Sequence, residues 1–571
     1  MKKNKMKLLG IVLLVITAVS VLLTFIIVGG MSHPTGENRE AQEELPSLAS
    51  GTVENAYVLS CQKNELIVLY EGHRYVAKQT AESDYTGVAD LALSQGKIVH
   101  IYAKPSKLSG IVSSYTDHTI QIEGYEPLSC VDNLPVYVKE KEKEGADAIR
   151  QGSLSDLVIG NSKVELVVAG KTACALILQP QQKMEKIRVL LKTGKQTVYP
   201  EITLKCSGSC QVGDNLCKKG EAIKASVCLS GKKDGEEVNV TPEQGFLYLC
   251  DSSGKKSGFG YEGTMILRKK GSGYVLINEL PVEDYVRYVL PSEMPSAFSQ
   301  EALKAQAVCA RTFAYSQMKG NGCAEYGANL DNTTAYQVYH VAKPSKETDA
   351  AARDTAGIVM TCGGELIDCY YYSTSPGYGE NLEVWDAKSP AYLTKGNYTS
   401  DSRKNLSKKR LFHNFISKNV PSYDKDSPYY RWTAVVSPKL GMDEKYGKLK
   451  SVKVEERSSS GYVLKLTLSF EKGKRTYEKE NDIRYALGKY LLSLTLADGS
   501  KPGNFYSVPS ACFEVASRRD GKIILKGGGF GHGIGMSQYG ADAMGREGKS
   551  WQEILSYYYQ DVEVTSTANI K

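Results

Sequence analysis

Histidine is scarce in this sequence. The 571 residues include 7 histidines, which form neither an HExxH motif nor a pair at helical spacing. Catalytic zinc sites commonly take histidine ligands, often at such a spacing. We therefore expect neither a metal site nor a cofactor.

The usual signals of nucleotide and nucleic-acid binding are also missing. The glycine-rich stretch GGGFGHGIG at 527–535 lacks the Lys-Ser/Thr of a P-loop and the downstream acidic residue of a dinucleotide site. There is no basic helix and no module that combines aromatic with basic residues, so we expect no nucleic-acid partner. The net charge of +7 suits a polyanionic surface such as a cell wall, but an ordinary excess of surface lysine explains it more simply.

The N-terminus predicts a membrane anchor. Four lysines precede residues 8–28, an uncharged apolar run. Such a run spans the roughly 30 Å hydrocarbon core as a helix, whereas the apolar part of a signal peptide has about 7–15 residues. We expect residues 1–30 to form an uncleaved single-pass anchor at the cell membrane, with the lysines in the cytoplasm and the rest outside. The polar residues 31–50 read as a linker.

The rest of the chain predicts an α+β fold. Residues 51–180 consist of short alternating apolar runs separated by turn residues, which predicts a β-rich accessory region of small barrel-like units. Residues 186–565 mix strands and helices and are expected to form one domain with a substrate groove. Within it, 392–519 is a more polar insertion or subdomain. The 13 cysteines, in a chain expected outside the membrane, predict some disulfides and at least one free thiol.

Residues 281–319 predict two helices with Glu293 in the connection between them. The first helix has an apolar stripe at i, i+3, i+4 and i+7, formed by Val282, Tyr285, Val286 and Val289. Pro291 is expected to end this helix, and Ser299 caps the next one. A partly buried glutamate held there would have a raised pKa and could act as a general acid. A solvated loop glutamate is the simpler alternative.

Two further stretches combine features of a sugar-binding site. Tyrosines 370–372 are followed by Ser373, Thr374 and Ser375, which sets aromatic faces beside hydroxyl groups; a strand with one tyrosine face in the core fits equally well. The glycines of 527–535 permit close approach of a substrate or of a neighbouring strand to the main chain. His532 within them could donate a hydrogen bond to a substrate or simply be packed.

Four segments together resemble the SpoIID/LytB family of sporulation and amidase-enhancer proteins. They are LPVEDYVRYVLPSEMPSAFSQEALKAQAVCARTFA, NTTAYQVY, YYYSTSPGYGENLEVW and GGGFGHGIGMSQYGADAMGREGKSWQEILSYYYQDVEV. The likeness extends over about 186–564. It implies a peptidoglycan lytic transglycosylase that acts on glycan strands without stem peptides, and a cell-wall amidase as a possible partner. The catalytic glutamate of the family's Glu-Met-Pro motif corresponds to Glu293. The substrate-binding residues that we infer are Arg311, Tyr371, Ser373, Ser375, His532, Ser537 and Gln538.

The implied chemistry agrees with a single catalytic carboxylate. A hydrolase normally needs two carboxylates, whereas in a transglycosylase the C6 hydroxyl of MurNAc attacks its own C1 and replaces water. Arg311 could orient the glutamate or bind a lactyl carboxylate, or could instead pack in the core. Two alternatives stay open: a non-catalytic glycan-binding enhancer of an amidase, and a hydrolase whose second carboxylate is Glu301, Glu365, Glu380 or Glu383.

This sequence departs from the family pattern at two places. Some members hold zinc between the arginine helix and the Gln-Val-Tyr block, with a cysteine or His-Cys pair just before the glutamine. Here Cys323 is present, but Thr334 and Ala335 precede Tyr336, so we expect no zinc. The usual Ser-Gly-Gly after the hydroxyl-rich strand is Ser-Pro-Gly at 375–377, and the proline is expected to stiffen the groove there.

Overall fold

The structure is a computed structural model that describes residues 50–570, except 63–64, 81–82, 142, 181–182, 403, 504 and 520. The chain separates into two compact units, residues 1–103 and 104–571. The predicted anchor at 1–30 lies outside the described residues, as does nearly all of the predicted linker. Within the described part of the chain, no helix has the length and apolar character needed to cross a membrane.

The first unit contains one antiparallel sheet in the order β3-β2-β1-β4-β5. Its strands are β1 (Ser50–Gln62), β2 (Glu65–Tyr70), β3 (His73–Lys78), β4 (Gly87–Ser94) and β5 (Lys97–Ala103). Buried apolar residues such as Val58, Leu66 and Leu91 fill one face. A bridge from Gln79, just after β3, to Ile98 on β5 brings the two edges together, so the sheet curls as a small barrel-like unit does.

The second unit begins with a seven-stranded sheet in the order β10-β9-β12-β11-β6-β7-β8. Its strands are β6 (Lys107–Tyr115), β7 (Thr119–Ile122), β8 (Leu128–Cys130), β9 (Val136–Lys139), β10 (Ile149–Gly152), β11 (Lys163–Ala169) and β12 (Thr172–Leu178). Strand β12 also pairs with β8, so five of the strands close into a ring. The predicted accessory region 51–180 thus spans both units. The buried Arg188 forms an ion pair at 2.6 Å with Glu123, the residue after β7.

Residues 186–281 are β-rich. The elements are β13 (Lys186–Leu190), β14 (Thr203–Cys206), β15 (Cys210–Val212), β16 (Asn215–Cys217), β17 (Ala222–Lys224), α1 (Ala225–Cys228), β18 (Glu237–Pro242), β19 (Leu247–Cys250), β20 (Lys256–Tyr261), β21 (Thr264–Lys270) and β22 (Gly273–Pro281). The predicted hairpin is β21–β22, and it leads directly into the next helix. Cys210 faces Cys217 across β15 and β16. All 13 cysteines are free thiols, so the expected disulfides are absent from this structure.

The centre of the second unit is helical. Its elements are α2 (Val282–Glu293), α3 (Gln300–Gly320), β23 (Leu330–Asp331), α4 (Lys346–Asp354), β24 (Ile358–Cys362), β25 (Glu365–Leu366) and β26 (Tyr371–Tyr372). The predicted apolar stripe of α2 is buried, and so are Leu303, Ala307, Ala310 and Ala314 on α3. Ser299 caps α3 by accepting a hydrogen bond from the Ala302 N–H. Small residues on α3 let the neighbouring elements approach it closely.

The remaining residues form two four-stranded sheets and the C-terminal helices. The elements are α5 (Lys409–Ile416), β27 (Trp432–Val436), β28 (Met442–Asp443), β29 (Gly447–Arg457), β30 (Val463–Phe470), β31 (Lys474–Tyr477), α6 (Glu480–Gly488), β32 (Leu491–Leu496), β33 (Phe513–Arg519), β34 (Lys522–Gly527), β35 (Met536–Ser537), α7 (Gln538–Arg546), α8 (Trp551–Tyr558) and β36 (Glu563–Ser566). The sheet β32-β27-β34-β33 extends past residue 519 to Gly527. The glycine-rich stretch therefore leaves directly from the last strand of the polar insertion. Helix and strand content together make the fold α+β, as predicted.

Candidate active site

Glu293 is the last residue of α2 and does not lie in the loop that the sequence predicted. The helix continues through Pro291, because the Met294 N–H still donates to the Leu290 carbonyl at 3.0 Å and completes the final turn. Pro291 itself offers no N–H to the preceding turn. The Ser292 hydroxyl partly replaces the missing main-chain hydrogen bond, since it donates to the Tyr288 carbonyl at 2.8 Å. The acid is therefore held by a helix end, which fixes it more firmly than a loop.

Glu293 opens onto a cavity of about 400 Å³. The cavity is lined by Glu293, Phe313, Thr334, Ala335, Tyr336, Cys369, Tyr370, Tyr371, Tyr372, Ser373, Trp385, Phe530, Gly531, His532 and Gln538. Five of the predicted site residues thus meet there, although the chain between the first and the last of them spans some 245 positions. Seven of the fifteen lining residues are phenylalanine, tyrosine or tryptophan, and aromatic faces beside a few hydrogen-bonding groups suit a sugar.

The Glu293 carboxyl is partly buried, and among the described residues no lysine or arginine forms an ion pair with it. Burial raises its pKa to about 7, an effect that two hydrogen bonds to the carboxylate, from the Val338 N–H and the Tyr371 hydroxyl, only partly offset. The Val338 N–H donates to Glu293 Oε1 at 2.5 Å. A carboxyl group with this pKa is about half protonated at neutral pH, which is the state that a general acid needs.

Ser537 is the N-cap of α7, and Gln538 is the first residue of that helix. Gln538 lines the cavity, and its Nε2 donates to the main-chain carbonyl of Glu293 at 3.1 Å. Ser537 is buried and caps α7 by accepting a hydrogen bond from the Gly540 N–H. Its hydroxyl also donates to Asp424. Ser537 is therefore not part of the cavity wall but holds Gln538 in place.

The glycine-rich stretch brings its backbone against strand β26. A Cβ atom at Gly535, whose φ is +75°, would lie 2.0 Å from the Tyr370 carbonyl oxygen, and one at Gly531 would lie 2.7 Å from Tyr372 Cβ. Only glycine allows this approach. The close neighbour is thus a strand of the same chain, one of the two possibilities that the sequence left open.

His532 faces the cavity in its neutral form. Burial lowers its pKa to about 3, with a smaller contribution from Arg484. The ring Nδ1 accepts a hydrogen bond from the Ile534 N–H at 3.1 Å, so the proton lies on Nε2. The ring packs at 5.1 Å from Trp385. His532 is packed, and its remaining ring N–H is hydrogen-bonded to the main chain of Tyr371.

Two other predicted binding residues lie away from the cavity. Arg311 is completely buried, and its guanidinium forms a bidentate ion pair with Glu283 at 2.8 and 2.7 Å. It neither lines the cavity nor contacts Glu293, so its geometry fits the alternative of a packed arginine. Ser375 is also buried, and its backbone N–H donates to Asp424 Oδ1 at 2.8 Å. Arg311 links α3 to α2, and Ser375 is held by Asp424.

Cys323 stands alone where some family members hold zinc. Its thiol lies 4.0 Å from the Tyr336 hydroxyl, and burial raises the pKa of the thiol to about 11. Within the described residues, no group of three or more histidine, cysteine or acidic side chains is placed to hold a metal ion.

The sequence interpretation missed several lining residues. Trp385 and Phe530 lie in two of the quoted segments but were not singled out, although aromatic residues beside glycines and hydroxyls were a usable signal. Gln337 was also missed. It is buried behind the cavity and donates to the Tyr371 hydroxyl at 3.1 Å. No local pattern marks a glutamine for such a contact.

Comparisons with known proteins identify the family of this chain. A family model described as Stage II sporulation protein matches residues 270–362, and a Domain of unknown function (DUF8618) matches 380–535. Stage II sporulation protein D of Bacillus subtilis (strain 168) is 32% identical over 309 residues, which cover 51% of this chain and 76% of that protein. The chain belongs to the SpoIID family.

Two further relatives of this SpoIID-family protein are 30% and 28% identical to it. An Amidase enhancer of Bacillus subtilis (strain 168) is 30% identical over 302 residues, covering 49% of this chain and 40% of that protein. An uncharacterized protein of Brachyspira hyodysenteriae is 28% identical over 330 residues, covering 57% of this chain and 78% of that protein. The cavity draws on both matched regions, since Glu293 lies in the first and His532 in the second.

Proposed function

We propose that this SpoIID-family protein is a lytic transglycosylase that cleaves the MurNAc–GlcNAc bonds of denuded peptidoglycan strands. The observation that carries the proposal is the Glu293 carboxyl, partly buried at the cavity and with a pKa of about 7. Relatives named for sporulation and for amidase enhancement support a cell-wall substrate.

In the proposed reaction Glu293 first donates its proton to the oxygen of the glycosidic bond, which breaks. The C6 hydroxyl of the same MurNAc attacks C1, and the Glu293 carboxylate takes the proton of that hydroxyl. The products are a 1,6-anhydroMurNAc end and a free GlcNAc 4-hydroxyl, and no water is consumed. The attack is intramolecular, so it avoids the entropic cost of fixing a second reactant.

The candidates for a second carboxylate favour this reaction over hydrolysis. Of the described residues that line the cavity, Glu293 alone carries a carboxyl group. Glu301 accepts from the Trp551 N–H, and Glu365 lies 4.0 Å from the Lys319 ammonium. Glu380 is buried and Glu383 is paired with Lys395. A hydrolase would need one of them within several ångströms of the scissile bond.

A second candidate function is a glycan-binding enhancer of a partner amidase. The Bacillus subtilis relative named Amidase enhancer favours this function, and the aromatic lining of the cavity would serve binding equally well. Binding alone does not need a protonated Glu293, and this difference separates the two proposals.

The test is digestion of denuded glycan strands with the wild-type protein and with Glu293→Gln, followed by mass spectrometry. Anhydro ends from the wild type and none from the variant support the transglycosylase. Reducing MurNAc ends indicate a hydrolase. If both proteins bind glycan, neither cleaves it and both stimulate an amidase, the enhancer is correct.

The location of the protein is a separate proposal. The apolar run at 8–28 supports a single-pass anchor in the cell membrane with the catalytic region outside. Protease added to intact cells without a wall should degrade the region from residue 50 onwards. Complete protection of that region would contradict this orientation.

A further inference from the structure

Gln337 is buried among α2, α3 and β26 in an orientation that its neighbours determine. Its Nε2 lies 3.3 Å from the Ala310 carbonyl oxygen, and its Oε1 lies 3.0 Å from the Tyr285 hydroxyl. A carbonyl oxygen can only accept a hydrogen bond, so the amide nitrogen must face Ala310. The amide oxygen then faces Tyr285, whose hydroxyl donates to it.

This orientation decides the direction of the next hydrogen bond. Gln337 Nε2 also lies 3.1 Å from the Tyr371 hydroxyl oxygen. Because an amide nitrogen donates and cannot accept, Tyr371 is the acceptor there and keeps its own proton for another partner. The Glu293 carboxyl lines the same cavity as Tyr371 and accepts a hydrogen bond from the N–H of Val338, the residue after Gln337. The Tyr371 hydroxyl lowers the pKa of that carboxyl, as a hydrogen-bond donor does. Burial raises the pKa of Tyr371 well above its usual value, so its proton stays in place.

We propose that Gln337 fixes the polarity of this buried chain so that the Tyr371 hydroxyl always donates to Glu293, which makes both of them positioning residues for the acid. The inference rests on the proposed function. It assigns Tyr371 a role beyond contact with sugar, and it gives Gln337 a role that its sequence context does not suggest.

A hydrogen bond from Tyr371 to Glu293 would affect both proton transfers of the proposed reaction. A donor aimed at the carboxylate stabilises the charged form that results when Glu293 gives up its proton, and it opposes the effect of burial. It also holds the carboxyl group in one rotamer while the proton is returned. Without the donor, the pKa of Glu293 would be higher and the carboxyl would stay protonated to higher pH. It would then donate its proton less readily, and less of the carboxylate that acts as the base would form.

The ionisable groups around Glu293 come from several elements. Tyr285 comes from α2, Tyr371 from β26 and His532 from the glycine-rich stretch, and Cys309 on α3 lies near Tyr371. Four further ionisable groups of the described residues line the cavity with Glu293, and burial raises the pKa of each, so they stay uncharged near neutral pH: Tyr336, Cys369, Tyr370 and Tyr372. Burial keeps the tyrosines and His532 uncharged near neutral pH. A titration that disappears when Glu293 is replaced can therefore be assigned to Glu293.

The experiment measures this titration without relying on activity. The melting temperature is recorded from pH 4 to pH 10 for the wild type, Tyr371→Phe and Gln337→Met, each paired with the same protein carrying Glu293→Gln. Within each pair, the Glu293 protein loses stability relative to its partner as pH rises from the unfolded-state pKa of about 4.3, and the loss levels off at the folded-state pKa. Tyr315→Phe, which removes a hydroxyl from α3 outside the cavity lining, is the matched control.

The levelling-off pH should move upward by about one unit in Tyr371→Phe and in the same direction in Gln337→Met. It should stay at about 7 in Tyr315→Phe. An unmoved value in Tyr371→Phe overturns the proposal, and a shift in Tyr371→Phe without one in Gln337→Met overturns the role of Gln337. If Gln337→Met does not fold, Gln337→Leu replaces it: it also removes the amide that donates to Tyr371 and adds no charge, and the same upward shift is required.

Activity distinguishes a failure of this inference from a failure of the proposed function. If the wild type does not cleave glycan but the levelling-off pH moves as expected, the hydrogen-bond chain is correct and the transglycosylase is not. If the wild type cleaves glycan with an unmoved value in Tyr371→Phe, the reverse holds.

Discussion

Three carboxyl groups in the second unit share nearly the same pKa but lie in different surroundings. Burial raises the pKa of Glu293, Glu380 and Asp424 to about 7 in each case. Glu380 is 1% exposed, accepts from the Ser458 hydroxyl and lies 3.7 Å from the Lys395 ammonium. Asp424 is fully buried and accepts from Ser537 and from the Ser375 N–H. Only Glu293 of the three lines the cavity.

The comparison shows that a raised pKa does not by itself identify a catalytic acid. Groups that fasten the insertion to the rest of the domain can acquire the same pKa, because burial acts on any carboxyl group. What distinguishes Glu293 is that a substrate can reach it through the cavity. Substituting one carboxyl group at a time tests whether Glu293 differs in function from Glu380 and Asp424.

The largest effect is expected from matched glutamine substitutions at 293 and 380. Glu293→Gln removes the general acid and should lower kcat/KM for glycan cleavage by about 10²–10⁴-fold with an unchanged melting temperature or a higher one at pH 8. Glu380→Gln should leave cleavage per folded molecule unchanged. It places an amide NH₂ near the Lys395 ammonium and the Asn381 N–H, which should cost about 1–3 kcal/mol of stability.

Initial rates of glycan cleavage and thermal unfolding at one pH check both variants together. If Glu380→Gln abolishes cleavage while the protein remains folded, Glu380 acts in catalysis despite its burial, and the distinction from Glu293 is wrong. An equal loss of activity in the two variants would also contradict this distinction.

Local patterns explain why much of the fold could be predicted from the sequence. The stripe of α2, the Ser299 cap and the β21–β22 hairpin depend on residues within a few positions of one another. Pro291 shows the limit even there, because the buried Leu290 and the Ser292 hydroxyl keep the last helical turn intact.

The site was harder to predict because its contacts join distant parts of the chain. Glu293 itself follows from its motif and surroundings. Whether a polar side chain lines the cavity or pairs elsewhere depends on partners such as Glu283 for Arg311, 28 positions away, or Asp424 for Ser537, 113 positions away. No spacing in the sequence reports these pairs, so the sequence alone does not separate Arg311, Ser375 and Ser537 from the residues that line the cavity.

A second, smaller effect concerns Asp424. Its pKa is about 3.9 in an unfolded chain and about 7 in the fold. Between these values the native state keeps a proton that the unfolded state has lost, so the free energy of unfolding falls as pH rises. Asp424→Asn keeps an acceptor oxygen for Ser375 and Ser537 but has no such titration. Relative to the wild type, the variant should gain on the order of 2–4 kcal/mol between pH 4 and pH 8.

Urea unfolding at several pH values measures this gain. Glycan cleavage by Asp424→Asn at pH 7 should persist, since Asp424 does not reach the cavity. If the stability of the variant relative to the wild type does not rise between pH 4 and pH 8, the pKa of Asp424 is not raised in the fold.

The smallest effect is the pH dependence of cleavage, and it bears most directly on which carboxyl group reacts. Glu293 must be protonated in the free enzyme, so kcat/KM should fall about tenfold per pH unit above pH 7, with an apparent pKa of about 7. Glu380 and Asp424 ionise in the same range, and their ionisation could lower activity through loss of folded protein instead. Glu380→Gln and Asp424→Asn should therefore retain the decline above pH 7, because they leave Glu293 unchanged. If either variant abolishes the decline, the pH dependence arises from the stability of the insertion, and the pKa of Glu293 has no part in it.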